Sequence, residues 1–145
     1  MHLDNLYQEV ILDHYKRPEH KVLNSVYDTE VHHVNPSCGD EITVRLSLSK
    51  EGLIELTWDG VGCSISMASA SVMAGLLNGK TLSDASPILE EFVSLMQSKG
   101  TSVGDEEILE DAVAFSGVSK YPARIKCALL AWMAYKDASV QVQSK

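Results

Sequence analysis

Hydrophobic residues near the start of the chain recur at intervals of three and four, which is the spacing of one face of an amphipathic helix. Proline cannot continue a helix, so the pattern predicts a first helix that ends before Pro18. The buried face of this helix is expected to carry Leu3, Leu6, Tyr7, Val10, Ile11 and His14. The histidine on this face is interpreted as a packed side chain at the edge of the core.

Three segments further along the chain have the period of a β-strand. Residues 42–48 and 54–58 alternate apolar and polar side chains, which indicates strands with one buried face. The turn-forming sequence Ser49-Lys50-Glu51-Gly52 separates them and predicts an antiparallel hairpin. A third strand is predicted over residues 29–34.

The chain after Gly62 has the period of α-helices. The predicted helices cover residues 65–76, a segment opened by Pro87, a segment from Asp105 to Gly117, and a last segment opened by Pro122. A weak capping pattern at residues 81–84 precedes the second of these helices. One helix followed by a sheet and then several helices is typical of the α+β class. We therefore expect one domain over residues 1–145, in which an N-terminal helix and several C-terminal helices pack on a small antiparallel three-stranded sheet.

Composition and charge exclude several classes of protein. The 145 residues are 45% hydrophobic and 22% charged, as in an ordinary globular domain. The formal net charge of −8 argues against a nucleic-acid binder and against an electrostatic membrane anchor. The longest apolar run, from Cys127 to Tyr135, is shorter than a transmembrane span. The first residues show no secretory signal, so a cytoplasmic location is expected.

The three cysteines do not form a disulfide framework, because their number is odd and the chain is long enough to build its own core. A hairpin turn centred on residues 50–51 would place Cys38 directly opposite Cys63, just beyond the two strands. Both thiols are therefore expected at the end of the sheet that lies away from the turn. Gly39 lets the chain bend sharply there, so that Asp40 can face the same centre.

Cys127 and Asp40 complete a candidate metal site with these two thiols. Cys127 lies in the second turn of the last predicted helix, and Arg124 precedes it on the same helix face, where its charge favours the thiolate. Three thiolates and one carboxylate suit tetrahedral zinc, and soft sulfur ligands also suit iron–sulfur clusters. The alternative is that the cysteines are small core residues, above all Cys127, because free cysteine is often buried.

Two neighbouring histidines are weaker candidates for metal ligands. Successive residues of a strand face opposite sides of the sheet, so at most one of His32 and His33 could reach the thiols. We expect both to be surface histidines.

The residues around the three cysteines form three motifs. They are Asn35-Pro36-Ser37-Cys38-Gly39-Asp40, Gly60-Val61-Gly62-Cys63-Ser64-Ile65-Ser66 and Tyr121-Pro122-Ala123-Arg124-Ile125-Lys126-Cys127. In this order and at these separations they resemble the iron–sulfur cluster assembly family typified by IscU, and more closely its SufU branch. Residues 6–15 also resemble SufU, and the similarity extends from Leu3 to the region of Ala138.

Two departures from the IscU type are features of the SufU branch. Lys126 stands where IscU-type scaffolds carry a histidine, and only Pro122 and Arg124 resemble their chaperone-binding motif. The segment between Cys63 and Cys127 is also longer than in the scaffold type. The departures therefore weaken the hypothesis that the chain builds a cluster on its own cysteines.

The SufU resemblance implies a zinc-dependent sulfurtransferase, in which zinc is held by Cys38, Asp40, Cys63 and Cys127. Cys38 would accept persulfide sulfur from a SufS-type cysteine desulfurase and pass it to the SufBCD assembly complex, so that Cys38 and Arg124 are the candidate catalytic residues. The family also implies a ligand exchange, in which a desulfurase histidine takes a zinc position and frees Cys38. Two other hypotheses stay open: a scaffold on which an iron–sulfur cluster is assembled, and a non-catalytic, zinc-stabilised interaction module.

Overall fold

The computed structural model describes the backbone of residues 3–144 and the side chains of residues 5–144. The expectation about a leader segment rests in part on Met1 and His2, which lie outside the described residues, as does the side chain of Leu3. Among the helices that are described, none is both long and apolar enough to cross a lipid bilayer.

The chain folds as a three-stranded antiparallel sheet with helices before and after it. The sheet has the order β1 (Thr29–Asn35), β2 (Asp40–Leu48) and β3 (Ile54–Val61), and helix α1 (Leu3–Lys16) precedes it. The elements that follow are α2 (Ser64–Leu77), α3 (Leu82–Gln97), the short α4 (Glu106–Leu109), a 3₁₀ segment (Glu110–Lys120) and α5 (Pro122–Gln143). The predicted α+β architecture is confirmed.

One face of the sheet is buried against the C-terminal helix. Ile42, Val44 and Leu46 alternate with more exposed residues along β2 and are at most 1% exposed, which is the pattern that the sequence predicts. Helix α5 packs on β1 and β2. Trp132 of α5 stacks on Phe92 of α3 with ring centroids 4.2 Å apart. Burial of this apolar helix therefore holds the sheet and the later helices together.

The hairpin register differs by one residue from the prediction. Leu46 pairs with Leu56 and Val44 pairs with Trp58, which moves the centre of the turn to residue 51. The backbone of Ser49 hydrogen-bonds that of Leu53, and Gly52 adopts a φ of 81°, which glycine tolerates best. Cross-strand partners share a face of the sheet, so the buried residues of the two strands must oppose each other. Cys38 and Cys63 are consequently offset by one position.

Helix α3 begins before Pro87 rather than at it. The Thr81 side chain caps the helix by accepting a hydrogen bond from the Asp84 backbone N–H at 3.1 Å, so the weak capping pattern marks the true start. Pro87 lies in the second turn and cannot donate to the Ser83 carbonyl. Both residues are exposed, so water can satisfy that carbonyl and the proline is tolerated. The predicted buried face is observed and carries Ile88, Phe92, Leu95 and Met96.

The prediction of an α-helix from Asp105 to Gly117 is correct only for its first turn. Only Glu106–Leu109 is α-helical, Glu110 has a φ of 48°, and a 3₁₀ segment continues to Lys120. Such long 3₁₀ runs are uncommon, because their hydrogen-bond geometry is poorer than that of the α-helix. Tertiary packing compensates here, since Ala112, Val113 and Phe115 of this segment are buried.

Among the described side chains of the predicted face of α1, Leu6 is the exception, because it is 40% exposed. Tyr7 and Ile11 pack against the core, and His14 is buried as expected. His14 Nδ1 lies 2.8 Å from Ser71 Oγ on α2, and its Nε2 lies 3.0 Å from Asp111 Oδ2 on the 3₁₀ segment. This histidine therefore connects three elements that are far apart in the sequence.

We predict that His14→Ala lowers the free energy of unfolding by about 2–3 kcal/mol, because it removes two hydrogen bonds and leaves Ser71 buried beside a cavity. The neighbouring variant Tyr15→Ala changes a side chain that is 45% exposed and is expected to cost much less. Urea unfolding of both variants measures the difference. Equal stability of the two variants would show that the His14 network contributes little.

Candidate metal centre

The turn between β1 and β2 presents one thiol to solvent and buries one carboxylate. Cys38 is exposed on this turn, and its backbone N–H donates to the Asn35 carbonyl at 3.2 Å. Gly39 has a φ of 68°, which reverses the chain before β2 begins. Asp40, the first residue of β2, is completely buried. Cys38 and Asp40 are thus close in the sequence, but the first side chain is exposed and the second is buried.

The junction between β3 and α2 holds the buried carboxylate. The backbone N–H of Cys63, the residue that precedes α2, donates to Asp40 Oδ1 at 2.9 Å. A Cβ atom on Gly62 would lie 2.3 Å from the same oxygen, so only glycine leaves room for the carboxylate here. The half-buried Cys63 thiol also faces this group, with its sulfur 4.0 Å from Asp40 Oδ2. The two loops therefore meet at one end of the sheet, as the sequence predicts.

Helix α5 contributes the third thiol. Cys127 is 1% exposed, and its sulfur lies 3.4 Å from Cys38 Sγ. The side chains of Cys38, Asp40 and Cys127 each offer a ligand atom, and these atoms all lie within 4.8 Å of one another. Two sulfurs that bind one tetrahedral zinc ion at about 2.3 Å are about 3.8 Å apart. Cys38, Asp40 and Cys127 therefore fit a zinc ion in chemistry and spacing, whereas the Cys63 sulfur is not among the three converging ligand atoms and contacts Asp40 from one side.

Burial controls the charge of this cluster. It raises the pKa of the Cys127 thiol far above its ordinary value, and hydrogen bonding with Cys38, Asp40 and Cys63 raises it further. The protein on its own therefore keeps this thiol neutral at physiological pH. A bound cation would reverse that preference, because metal coordination deprotonates a thiol.

Ser66 belongs to the site but is not among the site residues predicted from the sequence. The Ser66 hydroxyl donates to Asp40 Oδ2 at 2.6 Å and lies 3.4 Å from the Cys63 sulfur. Ser66 is 2% exposed and follows Cys63 by three positions, so both face the same side of the first turn of α2. The three-residue separation between a candidate metal ligand and a serine on one helix is the sequence signal that could have indicated Ser66.

The two basic residues near Cys127 lie on different sides of α5. Arg124 is exposed and lines a groove of about 560 Å³ with Tyr7, Ile65 and other residues, and it has no ion-pair partner among residues 5–144. Lys126 is also exposed and lines a smaller cavity beside β1. Within residues 5–144 Arg124 makes no hydrogen bond with the cysteine side chains, and its catalytic role stays a prediction.

Neither strand histidine joins the cluster. His32 Nδ1 lies 2.8 Å from Thr43 Oγ1 on β2, and His33 Nε2 lies 2.6 Å from Asp137 Oδ2 on α5. Their side chains face opposite sides of β1, as the strand period requires.

Comparisons with known proteins connect this geometry to a family. Residues 6–128 match the family described as the NifU-like N terminal domain. The chain is 44% identical over 133 residues to the zinc-dependent sulfurtransferase SufU of Bacillus subtilis (strain 168), covering 91% of this chain and 88% of that protein. It is 36% identical over 137 residues to the iron–sulfur cluster assembly scaffold protein IscU of Streptococcus pyogenes serotype M1, covering 94% and 84% of the two chains.

A solved structure shows the same fold. It is the crystal structure of a candidate iron–sulfur cluster assembly scaffold protein for the SUF system from Fervidobacterium Islandicum AW-1. The two structures superpose with a TM-score of 0.80 at 30% sequence identity, covering 88% of this chain and 92% of the other.

We predict that Ser66→Ala weakens zinc binding about 10- to 100-fold, because Asp40 loses the donor that orients its Oδ2 atom. Competition with a coloured chelator measures the affinity. Ser64→Ala is the matched control, since Ser64 is the exposed first residue of the same helix and should bind zinc like the unmodified chain. Unchanged affinity in Ser66→Ala would show that the hydroxyl does not support the ligand.

Proposed function

The chain belongs to the NifU-like N-terminal domain family, and we propose that it is a zinc-dependent sulfurtransferase that serves iron–sulfur cluster assembly. The family resemblance of the three cysteine motifs is thereby confirmed. The relative named as a zinc-dependent sulfurtransferase covers most of the chain, which supports the proposed activity. The proposed zinc ligands are Cys38, Asp40, Cys63 and Cys127.

One observation carries the proposal: a single exposed thiol stands among donors that are otherwise buried or half-buried. Cys38 is open to solvent, whereas Asp40 is completely buried and Cys127 is 1% exposed. A protein partner can therefore reach the Cys38 sulfur without unfolding the site. Zinc, when bound, would keep the thiols of the site deprotonated at neutral pH.

Cys38 is proposed to accept sulfur by thiol–persulfide exchange. Its thiolate attacks the outer sulfur of a persulfide on a pyridoxal-phosphate cysteine desulfurase of the SufS type. A new S–S bond forms on Cys38, the S–S bond of the donor breaks, and the donor cysteine leaves as a thiolate, so that no net oxidation occurs. Delivery to a SufBCD-type complex repeats the exchange with Cys38 as the donor.

Arg124 is proposed to assist this exchange from the rim of the site. It precedes Cys127 by three positions on α5, and its guanidinium is exposed and unpaired within residues 5–144. A free guanidinium can pair with the negative charge of an incoming persulfide, whereas a paired one could not.

A cluster-assembly scaffold is the second candidate, because the three thiols could also ligate iron and several relatives carry that name. The metal content of purified protein separates the two functions. Stoichiometric zinc without iron favours the sulfur carrier, and iron with acid-labile sulfide favours the scaffold. A zinc-stabilised interaction module would contain zinc but would not stimulate a desulfurase.

We predict that Cys38→Ala abolishes the stimulation of a SufS-type desulfurase, because the exposed sulfur acceptor is gone. Sulfide release from cysteine, with and without this protein, measures the effect. Ser37→Ala changes the neighbouring exposed residue of the same turn and should stimulate like the unmodified protein. Removal of zinc should abolish stimulation, and its return should restore it. Full stimulation by Cys38→Ala would exclude Cys38 as the acceptor.

A further inference from the structure

One buried side chain next to the metal centre has an unused hydrogen-bond donor. Asn35 is 7% exposed, and its Nδ2 atom is the one buried side-chain nitrogen or oxygen without a hydrogen-bond partner within residues 5–144. Other buried polar residues have partners, as Ser69 does in Ala128 and Trp132. A buried donor without a partner costs free energy, so its retention calls for an acceptor that the protein alone does not supply.

The strand pairing places Asn35 beside the cysteine cluster. Asn35 is the last residue of β1 and pairs directly with Asp40, and cross-strand partners share a face of the sheet. Its backbone carbonyl accepts the hydrogen bond of the Cys38 N–H. Asn35 also lines a cavity together with Lys126 and Leu130, which flank Cys127 on α5. Asn35 therefore adjoins the turn that bears Cys38 and shares a cavity with residues of the helix that bears Cys127.

A role in the turn does not explain the Asn35 side chain. Asparagine often stabilises a turn by accepting a hydrogen bond at its side-chain oxygen from a backbone N–H two or three residues later. Here the Cys38 N–H donates to the backbone carbonyl of Asn35, and the side chain takes no part.

A metal-bound cysteine sulfur would supply such an acceptor. Neutral thiols are weak acceptors, whereas thiolates accept strongly from N–H donors. Both oxygens of Asp40 already accept a hydrogen bond, from the Cys63 N–H and the Ser66 hydroxyl, whereas no N–H or hydroxyl within residues 5–144 donates to the Cys38 or Cys127 sulfur. We propose that Asn35 is a positioning residue that donates from Nδ2 to the Cys38–Cys127 sulfur pair when a divalent metal binds there. This inference rests on the metal centre of the proposed function.

Cobalt and zinc titrations of the metal-free protein test this role. The Asn35→Leu variant keeps the approximate size of the side chain but has no donor, so we expect zinc affinity to fall about 10- to 100-fold. In this variant the sulfur-to-cobalt charge-transfer band should move to lower energy, because the N–H donor that stabilises the sulfur lone pair has been lost. The metal-free variant should be as stable as the unmodified chain or more stable, since a buried unpaired donor has been removed.

One further variant completes the design. Thr29→Val is the matched control, because Thr29 is a buried polar residue on the same face of β1 whose hydroxyl donates to Gln141 rather than to the site. It should leave both the zinc affinity and the cobalt spectrum unchanged.

The outcomes separate this inference from the proposed function. If Asn35→Leu matches the unmodified protein in zinc affinity and cobalt spectrum, Asn35 is not a donor to the sulfurs, although the metal centre stands. A second outcome is that Asn35→Leu is less stable than the unmodified chain without metal, while its cobalt-bound form has an unchanged charge-transfer band. In that case Asn35 is a folding residue and the inference is wrong. If the unmodified chain binds neither metal, the inference and the metal centre both fail.

Discussion

A buried carboxylate that must be hydrogen-bonded is the constraint on which the site depends. Asp40 has no contact with solvent, and a buried polar group without partners would cost much of the stability of a small domain. Its donors are the Cys63 N–H and the Ser66 hydroxyl, both from the junction between β3 and α2. Asp40 also directly follows the turn that carries Cys38. Satisfying one carboxylate therefore brings two cysteine-bearing loops to the same place.

The third thiol depends on the core rather than on the loops. Cys127 reaches the centre because α5 buries an apolar face on the sheet and stacks Trp132 on Phe92. The same burial keeps Cys127 neutral in the absence of a cation. Cys38 remains exposed because it lies on a turn at the end of the sheet. Cys38 and Cys127 thus differ in exposure although their sulfur atoms are 3.4 Å apart.

Much of this site could be predicted, and the errors have identifiable causes. The turn sequence alone placed the centre of the hairpin one residue too early. The alternation of buried residues already contained the correction, because Leu46 and Leu56 must share a face and therefore oppose each other. Pro87 resembles a helix start in the sequence, but the side-chain cap at Thr81 sets that boundary. The 3₁₀ segment had no local signal, since packing of its apolar residues compensates for its weaker backbone geometry.

By itself, the sequence determined the strands, most of the helices and the residues that could supply sulfur and carboxylate ligands. These are local properties, because side-chain period, turn chemistry and donor atoms are all read from neighbouring positions. Only the tertiary structure decided which thiol is exposed, which hydroxyl orients Asp40 and which donor of Asn35 is left unpaired. Exposure and hydrogen-bond partnership depend on residues that are distant in the chain, such as Cys38 and Cys127, and the packing of the core brings them together.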